Sequence, residues 1–126
     1  ITIGSRFPAH ATSLGRVLLA GLPPAEREEV LRATRELRAF TSRTTTDVDA
    51  LLAELVLVAE RGWALVKGEL DEGLRSIAAP VRDRRGRVVA AVNVSMSDLG
   101  SAGRDAQVVD ALQRAVAAID ADLAAG

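Results

Sequence analysis

The stretch Arg61–Ser95, RGWALVKGELDEGLRSIAAPVRDRRGRVVAAVNVS, contains the signals that decide the fold. Three runs in and around it are rich in apolar and β-branched residues and are predicted to be strands: WALVKGEL, LRSIAAPVRD and RVVAAVNVSM. Between the last two lies the tetrapeptide DRRG at residues 83–86, which is typical of a tight turn joining antiparallel neighbours. The near-continuous apolar character of the last run predicts a central strand that is buried on both faces.

Two helices are predicted before this stretch. The segment PAHATSLGRVLLAGL offers Thr12 or Ser13 as the N-cap of a short helix that ends near Gly21. Pro24 then suits the first turn of a second, charged helix, where several glutamates follow it at the positive end of the helix dipole.

Two further helical patterns and one short strand complete the prediction. Apolar residues recur at helical spacing over residues 48–59, after a capping box of Thr46 and Asp49 and before Gly62 as a C-terminal stop. An amphipathic helix is predicted over residues 108–123, and a strand over residues 1–7. The resulting order β, α, α, α, β, β, β, α, with helices packed on an antiparallel sheet, predicts the α+β class.

Composition narrows the classes of function. The chain has 126 residues and a formal net charge of −1, from 16 basic and 17 acidic side chains, so a single domain over residues 1–126 without its own nucleic-acid surface is expected. It has no cysteine and one histidine, which argues against a metal site. No segment has the length and apolarity of a membrane span or a signal peptide, so a cytoplasmic location is expected.

Signals for catalysis and cofactor binding are weak. His10 lies near Ser13, but no nucleophile-elbow motif surrounds the serine, and a helix cap is the simpler interpretation of that residue. The carboxylates at residues 69, 71 and 72 are interpreted as solvated loop charges. The glycine spacing does not fit a phosphate-binding loop, and no cofactor is expected.

Three polar residues stand out within the apolar strands. Ser76 lies in the second strand of the quoted stretch, and Asn93 and Ser95 lie two residues apart in the third, so the last two share a sheet face. Hydrogen bonding to neighbouring backbone or water is the ordinary explanation of such residues. A cavity with hydroxyl and amide groups against apolar walls would also suit a small polar ligand.

The sequence resembles the C-terminal effector-binding domain of the IclR family of bacterial transcriptional regulators, over essentially the whole chain. Within the family it is most similar to the branch that controls aromatic-acid catabolism through the β-ketoadipate pathway. The resemblance rests on Pro8–Leu22, Phe40–Leu51, Arg61–Ser95 and the terminal helix, with Gly15, Glu69, Gly73, Ile77-Ala78, Pro80-Val81 and Gly86 in that order.

The resemblance implies a GAF-like fold with a pocket for a small carboxylate. Matched position by position, the ligand-binding residues implied are Ser13, Leu14, Val66, Ser76, Asn93 and Ser95. Val66 stands where some members that sense two- and three-carbon acids have an aspartate, and Asn93 stands where they have a serine. Both differences imply a larger, partly apolar acid, aromatic or dicarboxylic.

The resemblance also implies a non-enzymatic sensor in a homodimer or tetramer. DNA would be contacted only through a winged helix-turn-helix domain that is not in this chain, and the effector domain itself is expected to be N-terminally truncated. Two alternatives stay open. The chain could be an oligomerisation module without a ligand of its own, or a hydrolase based on His10 and Ser13, which would require those side chains to be hydrogen-bonded.

Overall fold

A computed structural model describes residues 8–98 and 103–126 of the chain. It confirms the α+β class, with helices packed on an antiparallel sheet. The strand predicted over residues 1–7 lies outside the described residues. The elements are a short 3-10 helix Ala9–Ala11, α1 Ser13–Ala20, α2 Pro24–Ala33, α3 Val48–Arg61, β1 Ala64–Lys67, β2 Leu74–Arg82, β3 Val88–Ser97 and α4 Asp105–Ala125.

The three described strands form an antiparallel sheet in the order β1-β2-β3. The predicted hairpin between β2 and β3 is confirmed, with Gly86 at the positive φ of 81° that its turn requires. The prediction that β3 is buried on both faces is wrong. Among the described residues β2 is the middle strand and is almost entirely buried, whereas β3 pairs on one side only and is partly exposed. Apolar content measures what a strand can bury, and it does not fix how much of the strand the other elements cover.

Helices cover both faces of the sheet. On one face α1 and α3 pack through Val17, Leu51 and Leu55 in a core that includes Ala78 of β2. On the other face α4 packs against the adjacent residue of the same strand, Ile77. Because successive side chains of a strand point to opposite faces, β2 contributes to both cores.

The ends of α1 and α3 have regular caps. Thr12 accepts a hydrogen bond from the backbone N–H of Gly15, which selects it over Ser13 as the cap of α1. The predicted capping box at α3 is wrong, because the cap is Asp47, whose carboxylate accepts from the N–H of Ala50 at 3.0 Å. Gly62 ends α3 in the left-handed conformation, at a φ of 83°, as predicted.

The start of α4 is joined to the sheet by a buried arginine. The Arg75 side chain is 3% exposed, and it donates to Asp98 at 3.0 Å and to Asp105, the first residue of α4, at 2.5 Å. These hydrogen bonds to the two carboxylates raise the pKa of Arg75 above its ordinary value. The cluster lies at the α4 side of the sheet and helps to fix where that helix begins.

Candidate ligand-binding site

A cavity of about 420 Å³ lies between the start of α1 and the sheet. Its walls come from the 3-10 helix, α1, all three strands and the β1–β2 loop. The six residues named from the resemblance all line it: Ser13, Leu14, Val66, Ser76, Asn93 and Ser95. The tertiary structure therefore brings together residues that are up to 82 positions apart in the sequence, as the difference between 95 and 13 gives.

Four polar side chains of the cavity, those of Ser13, Ser76, Ser95 and Asn93, lie along one strip. Ser13 Oγ donates to Ser76 Oγ at 2.8 Å, and both serines are buried. Ser76 is the cross-strand partner of Ser95, whose Oγ accepts from Asn93 Nδ2 at 3.1 Å. Asn93 is half-buried and Ser95 is exposed, so of the three strand residues only Ser76 is as buried as the apolar surroundings suggested.

The strip leaves hydrogen-bond donors available. The two buried serines share one hydrogen bond with each other, so one of the two hydroxyl protons has no acceptor among the described residues. The backbone N–H groups of Ser13 and Leu14 at the start of α1 also have no acceptor among the described residues, because the Thr12 side chain caps the N–H of Gly15 instead. Free N–H groups at a helix N-terminus favour an anionic group. None of the described lining residues carries a charged side chain.

The remaining walls are apolar apart from Thr12, and the sequence did not indicate most of their residues. Of these wall residues, Gly15 is the one whose residue type indicates the packing, because a Cβ added there would lie 2.3 Å from the Cα and the O of Ala9. Only glycine allows the 3-10 helix to cross so close to α1 and close that side of the cavity. The lining residues that the sequence did not indicate are Ala9, Ala11, Thr12, Gly15, Leu18, Leu70 and Leu74.

The interpretation of Glu69 as a solvated charge is wrong. Glu69 is 9% exposed, and its Oε1 accepts from Arg16 Nη2 at 2.5 Å and from the N–H of Thr45 at 2.8 Å. Arg16 is 3% exposed. A distant residue on α1 supplies the partner, so the burial of this carboxylate could not be seen from its loop-like surroundings in the sequence. Asp71 and Glu72 are exposed.

His10 and Ser13 do not form the hydrogen-bonded pair that a hydrolase would need. Ser13 Oγ donates to Ser76, and His10 Nε2 bonds the carbonyl of Arg38 at 2.8 Å while its ring packs beside Phe40. Within residues 8–98 and 103–126 no cluster of three His, Asp or Glu side chains could hold a metal ion. In the same residues no helix is long and apolar enough to cross a membrane.

Comparison with known proteins places these features in a family. The chain is 45% identical over 95 residues to the Pca regulon regulatory protein of Pseudomonas putida, an alignment that covers 75% of this chain and 32% of that protein. It spans between about a third and a half of the length of this and other curated relatives that it matches.

Solved structures agree with this placement. The C-terminal domain of Escherichia coli KdgR superposes with a TM-score of 0.88 at 38% identity, over 96% of this chain and 74% of that one. An IclR homologue of Microbacterium hydrocarbonoxydans, solved with 4-hydroxybenzoate, superposes with a TM-score of 0.87 at 31% identity, over 99% and 50%. The inducer-binding domain of Acinetobacter PobR, a double mutant in complex with 3-hydroxybenzoic acid, superposes with a TM-score of 0.85 at 30% identity, over 94% and 69%.

A family match covers almost the whole chain. Residues 1–121 match the C-terminal region of the bacterial transcriptional regulator IclR. The four helices and the antiparallel sheet are those of the solved IclR-type C-terminal domains. This chain therefore belongs to the IclR family of bacterial transcriptional regulators and corresponds to its C-terminal domain.

Proposed function

We propose that this chain is the effector-sensing domain of an IclR-type regulator and that it binds a small organic acid in the cavity beside α1. The observation that carries the proposal is the polar strip from Ser13 to Asn93, which faces apolar walls inside one cavity of about 420 Å³. Cavities of this size, mostly apolar with a few convergent polar groups, are typical small-molecule sites. The ligand residues are Ser13, Leu14, Val66, Ser76, Asn93 and Ser95.

Of the two acid classes implied by the sequence, the aromatic acids fit better. The described lining offers one anion-favouring position, the N–H groups of Ser13 and Leu14, and no cationic side chain for a second carboxylate. An aromatic monoacid would place its carboxylate there, its ring against Leu70 and Leu74, and a ring hydroxyl along the polar strip. Support comes from the relatives solved with 4-hydroxybenzoate and 3-hydroxybenzoic acid.

As a sensor, the domain would act by binding its ligand more tightly in one quaternary state than in another. Only such a difference in affinity can shift the equilibrium between states, typically by about 1 to 3 kcal/mol of coupling. We propose that the states are arrangements of a homodimer or tetramer, which change the spacing of DNA-binding domains outside this chain. No catalytic step is part of this mechanism.

Calorimetric titration of the folded chain with 4-hydroxybenzoate, protocatechuate and β-ketoadipate tests the ligand class. We expect heat of binding with the two aromatic acids and weaker binding of β-ketoadipate, which carries two carboxylates. Absence of heat with all three acids would contradict the proposal, and tightest binding of β-ketoadipate would contradict the preference for an aromatic acid.

Single substitutions locate the site. Ser76→Ala removes one of the paired hydroxyls, and we expect an affinity lower by up to about tenfold, the size of one lost hydrogen bond of about 0.5 to 1.5 kcal/mol to the ring hydroxyl. Ser42→Ala, in an exposed loop, is the matched control and should bind like the unchanged chain. Equal affinities for the two variants would place the ligand elsewhere.

The alternative function is oligomerisation without a ligand. It is favoured by apolar side chains that are exposed on α4 and β3: Ile119 at 38%, Leu123 at 45% and Val94 at 39%. Asn93→Ala separates the two functions. Loss of the response to an acid at unchanged Tm supports a sensor, whereas a lower Tm in a chain that binds no acid supports a purely structural role of the polar strip.

A further inference from the structure

We propose that Arg16, which does not line the cavity, is a positioning residue of the ligand site. Its buried guanidinium joins three segments that form the cavity walls, and it thereby sets the position of the start of α1 relative to the other two. This inference rests on the proposed function, since it states which residue keeps the ligand site in its binding geometry.

The contacts of Arg16 reach both neighbouring wall segments. Its Nε donates to the carbonyl of His10, in the 3-10 helix, at 3.0 Å. Its Nη2 donates to Glu69 Oε1, in the β1–β2 loop, at 2.5 Å. Arg16 lies about one helical turn after Ser13, which lines the cavity. One side chain therefore fixes the 3-10 helix, α1 and the β1–β2 loop to one another.

Glu69 extends the same network to a fourth segment. Its Oε1 also accepts from the N–H of Thr45, and its carbonyl accepts from Thr44 Oγ1 at 2.5 Å. Thr41 Oγ1 donates to the carbonyl of the preceding residue, Gly68, at 2.5 Å. The loop that bears the wall residue Leu70 is thus held from both sides. Movement of Glu69 would move Leu70 with it, because the two are adjacent in the chain.

Arginine is suited to this position and lysine is not. A guanidinium presents donors in a rigid planar fork and can meet a carbonyl and a carboxylate in two fixed directions. A lysine ammonium is a compact charge on a flexible stem, so it can neutralise Glu69. It cannot bond the His10 carbonyl and the Glu69 carboxylate in fixed directions at the same time. Arg16→Lys therefore keeps the positive charge and removes the fixed geometry of the two hydrogen bonds.

Arg75→Lys is a matched control for this substitution. Arg75 is as buried as Arg16, at 3% exposed, and it also bonds carboxylates, but on the α4 side of the sheet and without lining the cavity. We expect both variants of the 126-residue chain to have a lower Tm. Only Arg16→Lys should bind 4-hydroxybenzoate about tenfold more weakly, as expected when the displaced start of α1 costs the ligand carboxylate one charge-assisted hydrogen bond.

Amide hydrogen exchange measures the positioning without a ligand. Arg16→Lys should speed exchange at residues 9–15 and 69–71 together, and Arg75→Lys, whose contacts reach Gly73 through Asp98, should leave residues 9–15 unchanged. A joint increase confined to Arg16→Lys supports the proposal. Unchanged exchange in these segments, or 4-hydroxybenzoate affinity equal in the two variants when the unchanged chain binds it, would overturn it. If the unchanged chain binds no acid, the proposed ligand class fails, and the exchange measurement still decides the role of Arg16.

Discussion

Replacing Gly15 by alanine tests the closest backbone approach at the cavity. Gly15 lies in the first turn of α1, and a Cβ there would be 2.3 Å from both the Cα and the O of Ala9. Both are backbone atoms, so no side-chain rotation can relieve the overlap. The 3-10 helix or the start of α1 must move, and both segments line the cavity.

Two effects of opposite sign determine how much Gly15→Ala changes the free energy of unfolding. Alanine is favoured over glycine in a helix by about 1 kcal/mol. Overpacking costs typically about 1 to 3 kcal/mol, and a contact of 2.3 Å with backbone belongs at the upper end. The net expectation is a loss of about 2 kcal/mol in the free energy of unfolding. For a domain of this size that corresponds to a Tm lower by roughly 6 to 10 °C.

On the 126-residue chain, thermal unfolding measures the expected loss of stability. Calorimetric titration with 4-hydroxybenzoate measures whether the movement of the cavity wall changes the affinity. Gly73→Ala is the control, because an added Cβ there meets only Asp71 Oδ1, at 3.8 Å. It should leave Tm unchanged or slightly higher, since alanine restricts the unfolded chain. A Gly15→Ala chain with a raised Tm and unchanged affinity would refute the reasoning about the close approach.

The remaining predictions concern the core, a helix cap and the hairpin turn. Leu55→Ala should lower the free energy of unfolding by about 2 to 5 kcal/mol in chemical denaturation, because Leu55 is fully buried between helices and sheet. Asp47→Ala should cost about 1 kcal/mol by the same measurement, with Thr46→Ala close to neutral, and the reverse order would restore the predicted capping box. The hydrogen bond from the N–H of Arg87 holds the pKa of Asp83 below its ordinary value, so the stability that this carboxylate contributes is present above that value and lost as the pH falls through the lowered pKa. In NMR titration the amide proton of Arg87 should therefore shift only below about pH 4 and not in Asp83→Asn, and a midpoint above that pH would contradict the assignment.

Local signals account for the parts of the fold that were predicted correctly. The β2–β3 hairpin follows from the turn residues at 83–86 between two apolar runs, and α3 follows from a helical apolar stripe that ends at Gly62. The predictions that were wrong depend on distant partners. Neither the partial exposure of β3 nor the buried pairing of Glu69 with Arg16 is evident from the neighbouring sequence.

The sequence by itself determined the α+β class, the hairpin and the bounds of α1, α3 and α4 to within a few residues, because turn chemistry and hydrophobic periodicity act over short distances along the chain. It also supplied, through family resemblance, six residues that line one cavity. The tertiary structure decided which groups remain available there. Thr12 caps α1 and so releases Ser13 to meet Ser76, while Gly15 admits the 3-10 helix as a wall. Ser13 and Ser76 are far apart in the chain, and only the packing of α1 against the sheet brings them within hydrogen-bonding distance.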